Sequence, residues 1–202
     1  LMCFGQVVAR DPFILVGQTP NPNFHFKDLI GPKIGIAIDV PTPWMTLQDD
    51  LSRAGINPSS INRGAYSMMK ENTDLFKNRQ LDVVQVFEPY AQELIEEGGH
   101  VWHRFSTRGD IAFTTFYATR GFIDENRSAC RALINAMNKS LAKIHDSTAK
   151  EISDSVRPLY FPNLSSDSFE NIINQYKESN LWPINTALPV SSFVRLKASP
   201  LS

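Results

Sequence analysis

Two short turns carry the side chains best suited to holding a small molecule. The first is Asp39-Val40-Pro41-Thr42-Pro43-Trp44 and the second is Phe87-Glu88-Pro89-Tyr90. Each sets a carboxylate beside a flat aromatic ring. Carboxylates accept hydrogen bonds from N–H donors, and the rings offer apolar faces for stacking. Thr42 adds a hydroxyl. Asp39 and Glu88 would also make a general acid–base pair if they converged, but hydrogen bonding or charge pairing with a ligand is the favoured role. Both turns open a helix, whose first N–H groups have no intrahelical partner and draw anions. Acids and helix starts pull the ligand's charge in opposite directions, so these residues leave its identity open.

The flanking elements explain why the turns should meet. Residues 33–38 (KIGIAI) form a short run with no charge after Lys33, as in a strand covered on both faces. Thr42 is the expected N-cap and Pro43 an early helical residue. Trp44, Leu47, Leu51 and Ala54 then mark one helix face, and Gly55 stops it. Residues 81–87 (LDVVQVF) repeat the arrangement, with Glu88 at the cap, Pro89 at the first helical position and Gly98-Gly99 at the stop. If the two strands are parallel, both turns open at one sheet edge, where open α/β folds bind ligands. The ordinary reading, that these are plain α/β turns with core aromatics, stands beside this one.

The remaining pattern is α/β over 26–105, with a further strand at 61–66, a helix at 68–77 capped by Ser67, and strands at 100–105 and 111–118. Residues 6–8 and 13–16 are strand-like. Helices follow Gly121, one running over 124–145. Thr148 with Glu151, and Asp167 with Glu170, read as capping boxes. The tail from Asn180 is expected to be extended.

Composition excludes several classes. Twenty Lys and Arg against 21 Asp and Glu give a net charge of −1 and no basic stripe for nucleic acid. Apolar runs are too short for a transmembrane helix. No G-x-S-x-G, H-E-x-x-H, Walker or dinucleotide motif is present. The four histidines and the cysteines Cys3 and Cys130 have no metal spacing, so no metal, cofactor or catalytic residue is expected. Cys130 reads as a buried free thiol on the 124–145 face.

Several segments in order resemble a known family. These are FKDLIGPKIGI with its strand-to-helix turn, LSRAGINPSSI, LFKNRQLDVVQVFEPYAQELIEEGG and FYATRGFIDENRSACRALINAMNKSLAKI. They resemble the periplasmic solute-binding proteins for nitrate, sulfonates, taurine and thiamine-precursor pyrimidines. The resemblance implies an α/β, type 2 periplasmic-binding-protein-like fold with one complete, mostly parallel α/β lobe and part of a second. Residues 21–108 would form the complete lobe, and 1–20 with 109–202 the remainder of the first lobe with C-terminal helices. On this reading the chain is a C-terminal fragment. ARDPFILVGQTPNPNF looks like the approach to the hinge, which places Arg10 and Asp11 near the hinge side of an interlobe cleft.

The function implied is an extracytoplasmic, periplasmic component that hands a small organic solute to the membrane permease of an ABC transporter. The expected ligand-binding residues are Asp39, Thr42, Trp44, Phe87, Glu88, Tyr90, Arg10 and Asp11. Family members often carry a small Ser/Thr/Gly-rich turn where this chain has Asp39–Trp44. That departure tilts the solute from nitrate or sulfonate toward a flat, nitrogen-containing molecule. A pyrimidine-synthesis-type enzyme on the same fold and a ligand-sensing domain are the competing readings. An incomplete lobe would also favour self-association.

Overall fold

The computed structural model describes residues 1–37 and 40–198, the side chains of 65–67 and 195–198 aside. Its strands are β1 Met2–Val8, β2 Ile14–Gly17, β3 Lys33–Ala37, β4 Asn62–Ser67, β5 Val83–Val86, β6 His100–Arg104 and β7 Thr114–Ala118. Its helices are α1 Thr42–Arg53, α2 Met69–Lys77, α3 Tyr90–Glu96, α4 Arg120–Glu125, α5 Arg127–Asp146, α6 Ala149–Tyr160, α7 Ser166–Glu178 and α8 Val190–Ala198. The chain forms two compact units: Leu1–Asp11 with Ser106–Leu196, and a second whose continuous main segment runs from Pro12 to Phe105.

The continuous unit holds a five-stranded sheet in the order β4-β3-β5-β2-β6. β3 lies parallel to both β4 and β5, as the strand–helix alternation implied. β2 runs antiparallel to β5 and to β6, so it is the one reversed strand. Its four residues, ILVG, are all buried, because neighbours cover both edges and both faces. This explains why the unit begins before residue 21, the expected boundary: β2 is hydrogen-bonded into the sheet, and Phe105 N donates to Phe13 O at 3.0 Å.

The core is built from the apolar runs. Leu15, Val16, Ile34, Leu47, Leu51, Val83, Val84 and Val86 are wholly enclosed at 0% exposure. Each such side chain contributes about 1.5–3 kcal/mol relative to an exposed one. α1 and α3 end just before Gly55 and Gly98, whose φ values of 73° and 91° lie in the left-handed region where a Cβ is penalised.

The other unit pairs β1 with β7 antiparallel and adds helices. α6 and α7 pack through Ile152, Phe169 and Ile173, with Val156, Leu164 and Trp182 around them. The Thr148–Glu151 capping box forms, with Glu151 N donating to Thr148 Oγ1 at 3.2 Å and Thr148 N to Glu151 Oε2 at 2.8 Å. The expected box at Asp167 does not form. Ser165 caps α7 by accepting from Ser168 N at 3.0 Å, and Glu170 accepts from Ser166 Oγ instead. The helix expected over 124–145 breaks at Asn126, whose side-chain amide donates to Phe122 O at 3.0 Å. The tail is not extended throughout, because α8 starts directly after Pro189, where Ser192 N donates to Pro189 O at 3.1 Å. Cys130 is buried and free.

Candidate functional site

Parallel pairing of β3 with β5 puts the start of α1 and the turn after β5 at one edge of the sheet. One buried side chain ties them. Gln85 on β5, 1% exposed, donates from Nε2 to Pro43 O in the first turn of α1 at 3.3 Å. Its Oε1 is buried without a hydrogen-bond partner.

The helix starts differ in detail from expectation. Pro41 already has helical backbone angles, φ −71° and ψ −30°, so Pro41 is the cap position and Thr42 the first helical residue. Thr42 O accepts from Thr46 Oγ1 at 3.1 Å. α3 likewise has Pro89, not Glu88, at its cap position. Glu88 still serves that helix from one residue further out, since its Oε2 accepts from Gln92 N at 2.8 Å. α2 is preceded by Met68, not Ser67, at the cap position, and Glu71 accepts from Met68 N at 3.3 Å.

The expected ligand residues fall into four groups. Thr42, Phe87, Glu88 and Tyr90 sit at the shared edge, and Phe87 packs edge-on against Phe13 with ring centroids 5.0 Å apart. Trp44 lies in the first turn of α1, but the Arg63 guanidinium stands over its ring, 4.4 Å from the centroid. One face of the indole is therefore taken. Asp39 lies outside the described residues. Arg10 and Asp11 belong to the other unit, where Arg10 pairs with Asp110 at 2.9 Å and Asp11 with Arg108 at 2.6 Å.

Glu88 is 7% exposed. Burial pushes its carboxyl above the ordinary carboxylate range, the Gln92 N–H and the positive charge of Arg104 oppose the rise, and Glu96 adds to it. A carboxyl raised in the folded state contributes stability that is full below the ordinary carboxylate range and is lost as pH rises through the raised value. Glu88→Gln keeps an acceptor for Gln92 N and removes the charge. The urea midpoint of this variant should therefore fall less than that of the parent between about pH 4 and pH 7. Equal pH slopes would show that Glu88 is not the group responsible.

Two residues of this edge were missed by sequence reasoning. Gln85 was signalled by an amide in the middle of the apolar run LDVVQVF. Arg104 ends β6, which runs in the same direction as β5 because both oppose β2. Nothing local in the sequence sets that direction. Among the described residues no three His, Cys, Asp or Glu side chains gather to hold a metal, and no helix is long and apolar enough to cross a membrane.

The fold is that of the periplasmic solute-binding proteins. The alkanesulfonate-binding protein SsuA from Xanthomonas axonopodis pv. citri, solved bound to MOPS, matches with a TM-score of 0.75 at 13% identity, over 98% of this chain and 65% of that one. The periplasmic aliphatic sulphonate binding protein SsuA from Escherichia coli matches with a TM-score of 0.71 at 14% identity, over 96% of this chain and 62% of that one. At these identities the likeness is one of fold. Residues 25–154 match the NMT1-like family, and the chain belongs to that family. YtlA of Bacillus subtilis (strain 168) is 28% identical over 182 residues, which are 89% of this chain and 54% of YtlA. The chain thus spans about half the length of that relative and under two thirds of either sulfonate-binding protein.

Proposed function

We propose that this chain is solute-binding polypeptide of an ABC importer, acting outside the cytoplasmic membrane and handing its solute to a membrane permease. The observation that carries the reading is the shared sheet edge: the α1 start and the Glu88 turn are neighbours, tied by Gln85, with Arg104 ending β6 on the same side. The fold shared with two sulfonate-binding proteins supports it. The solute is a small organic anion, with a sulfonate as the first choice. The first turn of α1 and the positive charge of Arg104, which also acts on Glu88, favour an anion. Glu88 no longer argues for a nitrogen-rich ligand, because its carboxylate is buried and already accepts from Gln92. Tyr90, Phe87 and Trp44 supply apolar contact for the organic part. Self-association through the other unit belongs to the same reading, since its paired strands leave Phe116 at 38% and Tyr117 at 63% exposure.

Calorimetric titration of ethanesulfonate, taurine and an aminomethyl-pyrimidine tests the proposal. A sulfonate should bind most tightly. Arg104→Gln should weaken it by about tenfold or more, the size of one hydrogen bond to a charged group. Tighter binding of the pyrimidine would shift the solute to a thiamine precursor. Turnover of any compound would replace the transport reading with an enzymatic one.

A further inference from the structure

Where α4 and α5 border β1, the unit formed by Leu1–Asp11 and Ser106–Leu196 has a concave site that the transport reading does not use. Ile123 and Asp124 stand three and four residues after Arg120 on α4. Cys130, Arg131 and Ile134 follow Arg127 on α5 at the spacing of one helix face. With Met2 and Phe4 of β1 these residues line a cavity of about 410 Å³, within the range of small-molecule sites. Further along, the seam between α5 and β1 is closed: the Met137 methyl lies 2.6 Å from where a Cβ on Gly5 would stand. One turn earlier it opens, with Met2 40% exposed and Ile134 half-buried beside the buried Cys130.

The charges around this opening have a definite sign. Arginine stays protonated at any working pH, so Arg120, Arg127 and Arg131 are all cations. One carboxylate lines the cavity, Asp124, and its Oδ1 accepts from Arg127 Nη2 at 2.5 Å. Asp124 also stands four residues after Arg120, but its single charge offsets only one of the two guanidinium groups. No acid is in helical reach of Arg131, whose neighbours three and four positions away are Arg127, Ser128, Ile134 and Asn135. Glu125 is exposed and outside the lining, and counting it too still leaves cations in excess. Among the described residues no ion pair joins Arg120 or Arg131 to a carboxylate. A plain solvated helix face would spread such charges over covered ground; here they surround an apolar floor.

We infer that this cavity binds a phosphate monoester with a short apolar tail, its phosphate toward Arg120 and Arg131 and its tail against Phe4, Ile123 and Ile134. The excess of guanidinium charge favours a doubly charged head over a singly charged sulfonate or carboxylate, and the planar donor forks suit phosphate oxygens. The apolar floor favours an ester over inorganic phosphate, which would leave that floor in water. The site is independent of the sheet edge and of the solute carried there.

The test is a methyl and amide NMR titration of the full chain with hexyl phosphate, hexanesulfonate and inorganic phosphate in turn, at about pH 8, where the phosphate is doubly charged. The expected result is saturable shifts of the Met2, Ile123 and Ile134 methyls by hexyl phosphate, with Kd below about 1 mM. The other two compounds should bind there at least about fivefold weaker. Arg131→Gln, at an exposed position, should weaken hexyl phosphate by about fivefold or more, and Lys139→Gln, exposed on the same helix but outside the cavity, by less than about twofold. Three results would each overturn the inference: no saturation at these methyls, equal binding of hexyl phosphate and hexanesulfonate there, or equal losses in the two variants, the mark of a general charge effect. Hexanesulfonate is expected to shift Thr42, Gln85 and Tyr90 instead, so failure of one site is read separately from failure of the other.

Discussion

Asp11→Ala is expected to destabilise the unit formed by Leu1–Asp11 and Ser106–Leu196 by about 3–5 kcal/mol, the usual loss when one partner of a buried ion pair is removed. The Asp11 side chain is 0% exposed and that of Arg108 is 8% exposed, at 2.6 Å. Taking away the carboxylate removes the Asp11 counter-charge from a guanidinium that stays largely buried, and the cost of keeping that cation out of water sets the size of the effect. Replacing both partners, Asp11→Leu with Arg108→Met, should therefore recover much of the loss, since well-packed apolar pairs often match buried ion pairs. Urea unfolding followed by fluorine NMR of 5-fluorotryptophan separates Trp182, in this unit, from Trp44 and Trp102. A loss under about 1 kcal/mol at the Trp182 signal would mean the pair behaves as a solvated surface bridge.

Phe13→Ala should produce a comparable loss in the other unit, about 3–5 kcal/mol. Phe13 is 1% exposed and lies just before β2, near the start of that unit. Its ring meets Phe87 edge-on at 5.0 Å, and its carbonyl accepts from Phe105 N at 3.0 Å. Truncation leaves a ring-sized void and removes the support beneath Phe87 at the sheet edge. The backbone bond to Phe105 survives, so the loss is one of packing. The Trp102 fluorine signal should report the lower midpoint, and Phe13→Leu should lose clearly less. Equal stability of Phe13→Ala and the parent would show that the void closes or that β2 adds little to this sheet.

The parts of the fold legible in the sequence are those set by local chemistry. Residues 33–37 and 83–86 are strands because their apolar runs can be covered on both faces, and α1 and α3 stop where Gly55 and Gly98 take left-handed angles. Thr148 and Glu151 cap α6 through bonds spanning only three residues. Long-range features were less legible. The direction of β2 depends on where the chain enters the sheet, and with it the position of Arg104. The Arg63–Trp44 contact joins an edge strand to a helix start, and neither segment announces the other. Cap positions failed by one residue at Thr42 and Glu88, because Pro41 and Pro89 both have αR backbone angles and take the cap position themselves. Asp167 lost its cap to Ser165 because the serine stands one residue ahead of α7, where its oxygen meets Ser168 N.

The central claim is that one edge of the five-stranded sheet holds the solute. Amide NMR of the full chain during titration with ethanesulfonate tests it most directly. The account predicts saturable shifts at Thr42, Trp44, Gln85, Tyr90 and Arg104, all weakened together in Arg104→Gln, while Ile56 and the His103 ring stay unmoved. Saturable binding that leaves these five amides in place would contradict it.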